Sequence, residues 1–168
     1  MRPFRPDDAF RLSQLLNDKI FAENTCRIPY PYEEHTARVW IATQQEAFLQ
    51  GDELSLAVAL KNGGPLIGAT GVMHFNDPVK VPELGFWIGR EYWGRGYCTE
   101  AAQALLDYVF SAYPVTEIQA HHFVHNAASG RVMRKLGMAY LGRFQRFIEG
   151  HLNRDAQIEV YSIRRAAG

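Results

Sequence analysis

Leu84-Gly85-Phe86-Trp87-Ile88-Gly89-Arg90-Glu91-Tyr92-Trp93-Gly94-Arg95-Gly96-Tyr97-Cys98-Thr99-Glu100-Ala101-Ala102 runs from an apolar strand through a glycine-bearing turn straight into a helix. That junction can hold an anion. Glycines let a backbone approach a ligand closely, and the unpaired amides of a first helical turn, reinforced by the helix dipole, donate to phosphate oxygens. The spacing predicts a helix over residues 97–113, with Tyr97, Ala101, Ala104, Leu105, Tyr108 and Val109 on one face. Dinucleotides and ATP fit poorly. Gly94-x-Gly96-x-x-Thr99 lacks the third small residue of the dinucleotide fingerprint, no acid follows at the end of the next strand, and the Lys-Ser/Thr of a P-loop is missing. Taken alone, the glycines also fit a plain tight turn.

Upstream, Asp7-Asp8 open a helical stripe of Phe10, Leu12, Leu15 and Leu16, and Pro29-Tyr30-Pro31 forces a loop before a second helix over residues 33–50 that carries Ala37, Trp40, Ile41, Ala47 and Phe48. Residues 54–60 and 66–73, joined by Asn62-Gly63-Gly64-Pro65, read as a β-hairpin, and residues 81–89 as a third strand. Downstream, a strand over 116–124, a helix over 126–136 ending at Gly137, and an antiparallel pair over 138–148 and 157–163 complete the chain. The strand–helix–strand unit from Val81 to Val124 requires a parallel, right-handed crossover in the middle of a mixed sheet.

The chain has 168 residues, 47% of them hydrophobic, which suits one domain over residues 1–168 rather than two. Eighteen basic residues balance eighteen acidic ones, so no global field favours nucleic acid or an anionic membrane. Cys26 and Cys98 are too far apart in sequence for a zinc or redox motif, and the six histidines show no His-Glu-x-x-His spacing, so free thiols and no metal are expected. No apolar stretch has signal-peptide or membrane-spanning length, which makes the cytoplasm the expected location.

Glycine turn, amphipathic helix and strand are followed by His125-Asn126-Ala127-Ala128-Ser129 and Lys135-Leu136-Gly137-Met138. Together with Arg2-Pro3-Phe4-Arg5-Pro6-Asp7-Asp8, Pro29-Tyr30-Pro31, and Arg154-Asp155 with Tyr161, this series resembles the GNAT acetyltransferase superfamily, in particular its RimJ/RimL-type branch of protein amino-terminal acetyltransferases. The resemblance covers nearly the whole chain. It implies an α+β GNAT-like fold: a central mixed sheet of about seven strands, splayed at the middle and flanked by about four helices. It also implies acetyl-CoA as acyl donor and a protein or peptide α-amine as acceptor, attacked directly in a ternary complex. A small-molecule amine acceptor and a non-catalytic acyl-CoA-binding module are the alternatives. Two departures stand out. Glu91 occupies a position where the superfamily has Gln or Arg, and Met1 falls where relatives have further strand residues.

By this resemblance, the segment Trp93, Gly94, Arg95, Gly96, Tyr97, Cys98 and Thr99 holds the CoA pyrophosphate through its amides, with the Arg95 side chain on a phosphate. Asn126 contacts the pantetheine region, and Ser129 lies near the thioester sulfur as the candidate acid. Both residue types also favour helix caps, so a purely structural role is open for each. A backbone amide near Trp87 or Ile88 is the expected oxyanion donor. Glu83, at the head of the third strand, is the candidate base, with His74, His121, His122 and Glu149 as rivals. Side-chain alternation sends His121 and His122 to opposite sheet faces, leaving at most one for the cleft. Tyr30, Tyr32 and Trp40 are candidates for the acceptor pocket, although aromatics beside a helix are commonly core. Cys98 reads as packing, and short edge strands are compatible with a homodimer.

Overall fold

The computed structural model describes residues 1–165, so the end of the domain expected over 1–168 lies outside the described residues. The elements are α1 (Asp8–Leu16), α2 (Lys19–Asn24), α3 (Glu34–Leu49), β1 (Glu53–Ala59), β2 (Leu66–Met73) and β3 (Glu83–Ile88). A 3-10 turn at Arg90–Tyr92 leads into α4 (Tyr97–Ala112), β4 (Glu117–Phe123), α5 (Ala127–Lys135), β5 (Ala139–Ile148) and β6 (Arg154–Arg164). The six strands form one mixed sheet in the order β1-β2-β3-β4-β6-β5. Among the described residues the segment near Met1 adds an isolated bridge, Arg2 to Ala57, and the sheet has six strands where about seven were expected. There are five α-helices rather than about four among the described residues, because α2 has six residues and no apolar stripe that periodicity could reveal.

All strand pairs are antiparallel except the central one. β3 and β4 run parallel and share a single register pair, Glu83 opposite Gln119. Beyond that point they part, leaving a gap in the middle of the sheet. On one face α4 presses Ala102, Leu105, Leu106 and Val109 onto Val72, Leu84 and Ile118, and Met133 of α5 joins the same cluster. The opposite face is covered by α1 and α3, through Ala9, Leu12, Leu16, Ala37 and Ile41. The buried stripe of α4 is Ala101, Ala102, Leu105, Leu106 and Val109. Ala104 and Tyr108, expected on that face, are exposed, as is Phe10 of α1. The helix sits flush on the sheet, so the buried arc is narrower than the apolar residues in its sequence.

Helix α2 crosses the mouth of the gap and is tied to both banks. On the β3 side Arg90 Nη1 lies 3.3 Å from Asp18 Oδ2, and Phe21 packs edge-on against Trp87 at 5.6 Å. On the β4 side His125 Nε2 is 3.1 Å from the Glu23 carbonyl, and His151 Nε2 is 3.1 Å from that of Ala22. A six-residue helix is not stable alone, so these contacts fix its position.

The β2–β3 pairing that forms one wall of the gap tolerates no side chain at Gly68. A Cβ there would stand 2.4 Å from the Trp87 carbonyl oxygen, which is backbone and cannot swing aside. Gly68→Ala is expected to destabilise the protein by about 1–3 kcal/mol, the usual penalty of overpacking, as measured by urea unfolding.

Candidate active site

Two cavities occupy the gap. The first, of about 350 Å³, runs along the turn into α4 and is lined by Trp93, Gly94, Gly96, Tyr97, Cys98 and Thr99 on one side and by Asn126, Ser129, Arg131 and Lys135 on the other. The second, of about 360 Å³, adjoins it and is lined by Cys26, Tyr32, Trp40, Glu53, Glu83, His121, His122 and Ser129, among others. They meet at Asn24, Thr25, Phe86, Trp87 and Ser129. A ligand can therefore extend from one into the other through the parted strands.

Gly94 and Gly96 take φ of 75° and 83°, the left-handed region that residues with a Cβ adopt only under strain. A Cβ at either would meet open space, so the glycines serve the path of the backbone and not close packing. Trp93 donates its amide to the Arg90 carbonyl and Glu100 donates to Gly96, but the amides of residues 94–99 find no acceptor among the described residues. They form a run of free donors at the positive end of a 16-residue helix. Glu91 does not oppose an anion here. It turns away to Arg11, whose Nη2 lies 2.5 Å from its Oε1, and Arg11 also reaches the Leu66 carbonyl. Arg95 is exposed, with its guanidinium 6.0 Å from the Tyr92 ring centroid, and does not line the cavity. The cations that do are Arg131 and Lys135 of α5, a pair that sequence reading missed because their facing depends on how α5 docks.

Asn126 caps α5: its Oδ1 accepts from the Ser129 amide at 3.3 Å, and its Nδ2 donates to Ser129 Oγ at 3.0 Å. The capping reading is therefore correct for Asn126, and it leaves the Ser129 hydroxyl proton unengaged at the junction of the cavities. Ile88 accepts from Trp93 Nε1 at 2.5 Å, which fastens the turn to the strand. Cys98 packs near Val58, Ile67, Ile88 and Ala101, and burial pushes its thiol up to about 12. That burial outweighs any lowering by the helix start.

In the second cavity Glu83 Oε1 lies 2.8 Å from His121 Nδ1, and Arg146 stands 3.8 Å from Oε2. Burial opposes the charge of Glu83, but the His121 hydrogen bond and the nearby positive charges prevail and hold its carboxyl below the usual range. Burial likewise opposes the charge on His121, yet the Cys26 sulfur and the Glu83 carboxylate raise it to about 9. Glu53 is paired with Arg27 at 2.9 Å. Tyr32, pushed up to about 12 by burial, is a neutral phenol.

Tyr32 and Trp40 line this cavity, whereas Tyr30 is 52% exposed outside it. Among the rival bases, His74 and Glu149 stand outside both cavities. His121 and His122 both border the second one, against the expectation of at most one, because a gap between strands touches both sheet faces. His122 is buried under α5, with Nε2 3.4 Å from Glu159 Oε2 but not aligned for a hydrogen bond.

The cleft has free amides and two cations along one cavity and an acid–imidazole pair in the other, and comparison with known proteins shows its family. A family profile described as "Acetyltransferase (GNAT) domain" matches residues 1–139. The chain is 26% identical over 136 residues to "Uncharacterized N-acetyltransferase p20" of Bacillus licheniformis, covering 81% of this chain and 76% of that protein. Its fold is similar to that of RimL, a ribosomal L7/L12 α-N-protein acetyltransferase solved with coenzyme A: TM-score 0.86, 16% identity, 99% of this chain and 94% of that one. It is also similar to the microcin C7 self-immunity acetyltransferase MccE, solved with acetyl-CoA and AMP: TM-score 0.84, 17% identity, 96% and 89% covered. The chain belongs to the GNAT acetyltransferase family. It is an acetyl-CoA-dependent N-acyltransferase.

The Glu83–His121 pair gives the fold a pH signature. Because His121 is raised from 6.5 to about 9, its stabilising effect is complete below 6.5 and is lost as the pH rises toward 9. Glu83 is lowered, so its contribution is present above 4.5 and disappears on acidification through its folded value. Replacing His121 by Gln is expected to remove a fall in unfolding free energy of about 3 kcal/mol as the pH rises from 6.5 to 9, read by urea unfolding at a series of pH values.

Proposed function

We propose that this single domain transfers an acetyl group from acetyl-CoA to the α-amine of a protein or peptide, by direct attack of the neutral amine on the bound thioester. The observation that carries the reading is the meeting of two cavities at Ser129 and Trp87 in the parted centre of the sheet, one beside free helix-start amides and one beside Glu83. The amides of Gly94, Gly96, Tyr97, Cys98 and Thr99 bind the pyrophosphate, and Arg131 and Lys135 supply positive charge to the phosphates. Pantetheine follows the gap past Asn126, which brings the thioester to Ser129. The amide of Ile88, which alternates with the β2-facing Trp87 and Gly89 and so points to the side of β3 that has no strand partner beyond Glu83, receives the developing oxyanion.

Ser129 Oγ already accepts from Asn126, so its proton is free for the departing CoA thiolate. Glu83 is held ionised and takes the proton of the amine, directly or through water. An α-amine titrates at about 8 and a thiol at about 8.5, so these transfers need no extreme acid or base near neutrality. Tyr32 and Trp40 form an apolar wall for the residue that carries the amine.

A second reading, a small-molecule amine as acceptor, is favoured by the modest size of the acceptor cavity, about 360 Å³. Its charged lining narrows that class. Glu53 is matched by Arg27 and Glu83 by His121, so no spare carboxylate awaits a second cation, and a polyamine is the wrong substrate. Exposed Tyr140, Leu141, Phe144 and Phe147 on the edge strand β5 support self-association.

The test is release of CoA thiol from acetyl-CoA with peptides of varied first residue, amino acids and spermidine. Peptides are expected to be acetylated and spermidine not. Ser129→Ala should lower kcat by about 10- to 100-fold with little change in acetyl-CoA affinity. Turnover confined to small amines would contradict the peptide reading.

A further inference from the structure

The acceptor cavity contains a nucleophile that the amine reaction leaves idle. Cys26, in the loop after α2, has its Sγ 3.6 Å from His121 Nε2, and the opposite ring nitrogen, Nδ1, is 2.8 Å from Glu83 Oε1. Thiol, imidazole and carboxylate follow one another through the two nitrogens of one ring, which is the arrangement of an activated nucleophile, its base and the group that orients the base. The three arrive from the α2 loop, β4 and the head of β3, and all line the same cavity. Thr25, next to Cys26, also borders the cavity beside the α4 turn. The sulfur is held against Phe123, Ile148 and Ile158 but is not sealed off.

A packing role for Cys26 accounts poorly for this geometry. Burying an imidazole–carboxylate pair is expensive unless its remaining atoms are well used, and the free end of the imidazole is spent on sulfur. His121 Nε2, 3.6 Å from the Cys26 sulfur, stands where the thiol proton can be taken up, and the Glu83 carboxylate on the opposite ring nitrogen supports the charge that this leaves on the ring.

We propose that Cys26, with His121 and Glu83, is a second acyl acceptor, which takes the acyl group from acyl-CoA when no amine is bound and then yields it to water. The inference rests on acyl-CoA occupying the adjoining cavity as described above. In the first half, the Cys26 proton resides on His121 Nε2 while the sulfur forms a bond to the acyl carbonyl carbon. The bond from that carbon to the CoA sulfur breaks, and the CoA thiolate takes the proton from His121. One thioester is exchanged for another, with no oxidant or reductant. In the second half, His121 accepts a proton from the attacking water, the carbon–sulfur bond to Cys26 breaks, and the proton returns to the Cys26 sulfur. Glu83 steadies the imidazolium in both halves. Acyl-CoA and water become a carboxylic acid and CoA.

The experiment is to incubate the intact protein with acetyl-CoA and no amine, quench in acid, and locate any acetyl group by peptide mass mapping. The same samples are assayed for free CoA, alongside C26A and H121N, with acetyl-CoA binding by calorimetry and turnover with a peptide amine measured in parallel. One acetyl group on the Cys26 peptide, removable by neutral hydroxylamine, is expected. Amine-free CoA release should drop by about tenfold or more in both variants while acetyl-CoA still binds. Absence of acetyl from Cys26 in protein that binds acetyl-CoA, with amine-free release unchanged in C26A, overturns the proposal and leaves the amine reaction intact. Acetylation of Cys26 without acetylation of any amine upholds it and removes the reading of the preceding section. Failure of the wild type to bind acetyl-CoA defeats both.

Discussion

The parting of β3 from β4 is the constraint on which the rest of the molecule depends. Parallel strands in the middle of a sheet normally bond along their whole length, and here only Glu83 and Gln119 are in register. The cost is a row of backbone groups without ladder partners, and such groups need water or a ligand. The neighbouring elements keep the gap open at a fixed width. β2 holds β3 in a register of six pairs, β6 holds β4 in seven, and α4 and α5 cover one face. Across the other side α2 acts as a strap, anchored through Asp18 on one bank and Glu23 on the other.

Charge is managed locally. A chain without net charge presents oriented amides and a pair of helix cations to one cavity, the place that the proposed function gives to an anionic cofactor, while nearby carboxylates are tied elsewhere. Glu91 is drawn to Arg11, Glu53 to Arg27 and Glu83 to His121. Exposed pairs of this kind add little to stability, typically below about 1 kcal/mol, so their value here lies in directing carboxylates. The Glu83–His121 pair is the exception, because both side chains are largely buried.

The strand–turn–helix unit was legible because its signals are local: glycines at positive φ, an amphipathic helix and an apolar strand within a short stretch. The same holds for the β1–β2 hairpin and the Asn126 cap. What escaped was either too short or too distant. Helix α2 has six residues and is defined by contacts rather than periodicity. Cys26 and His121 are separated by 95 positions, so no spacing rule could join them. Tyr30 and Tyr32 looked equivalent in sequence, yet the chain turns one outward and buries the other. The family resemblance pointed to the side chain of Arg95 as a phosphate ligand, but Arg95 does not line the cavity, whereas docking of α5 brings Arg131 and Lys135 to its wall.

The central claim is that the free amides at the start of α4, facing α5 across the parted strands, hold the pyrophosphate of CoA. Amide hydrogen exchange with and without acetyl-CoA tests it most directly. The account predicts slowed exchange concentrated in residues 94–99, at the start of α5 and in α2, with the β1–β2 hairpin turn unaffected. Binding that leaves residues 94–99 unprotected and protects another surface would contradict it.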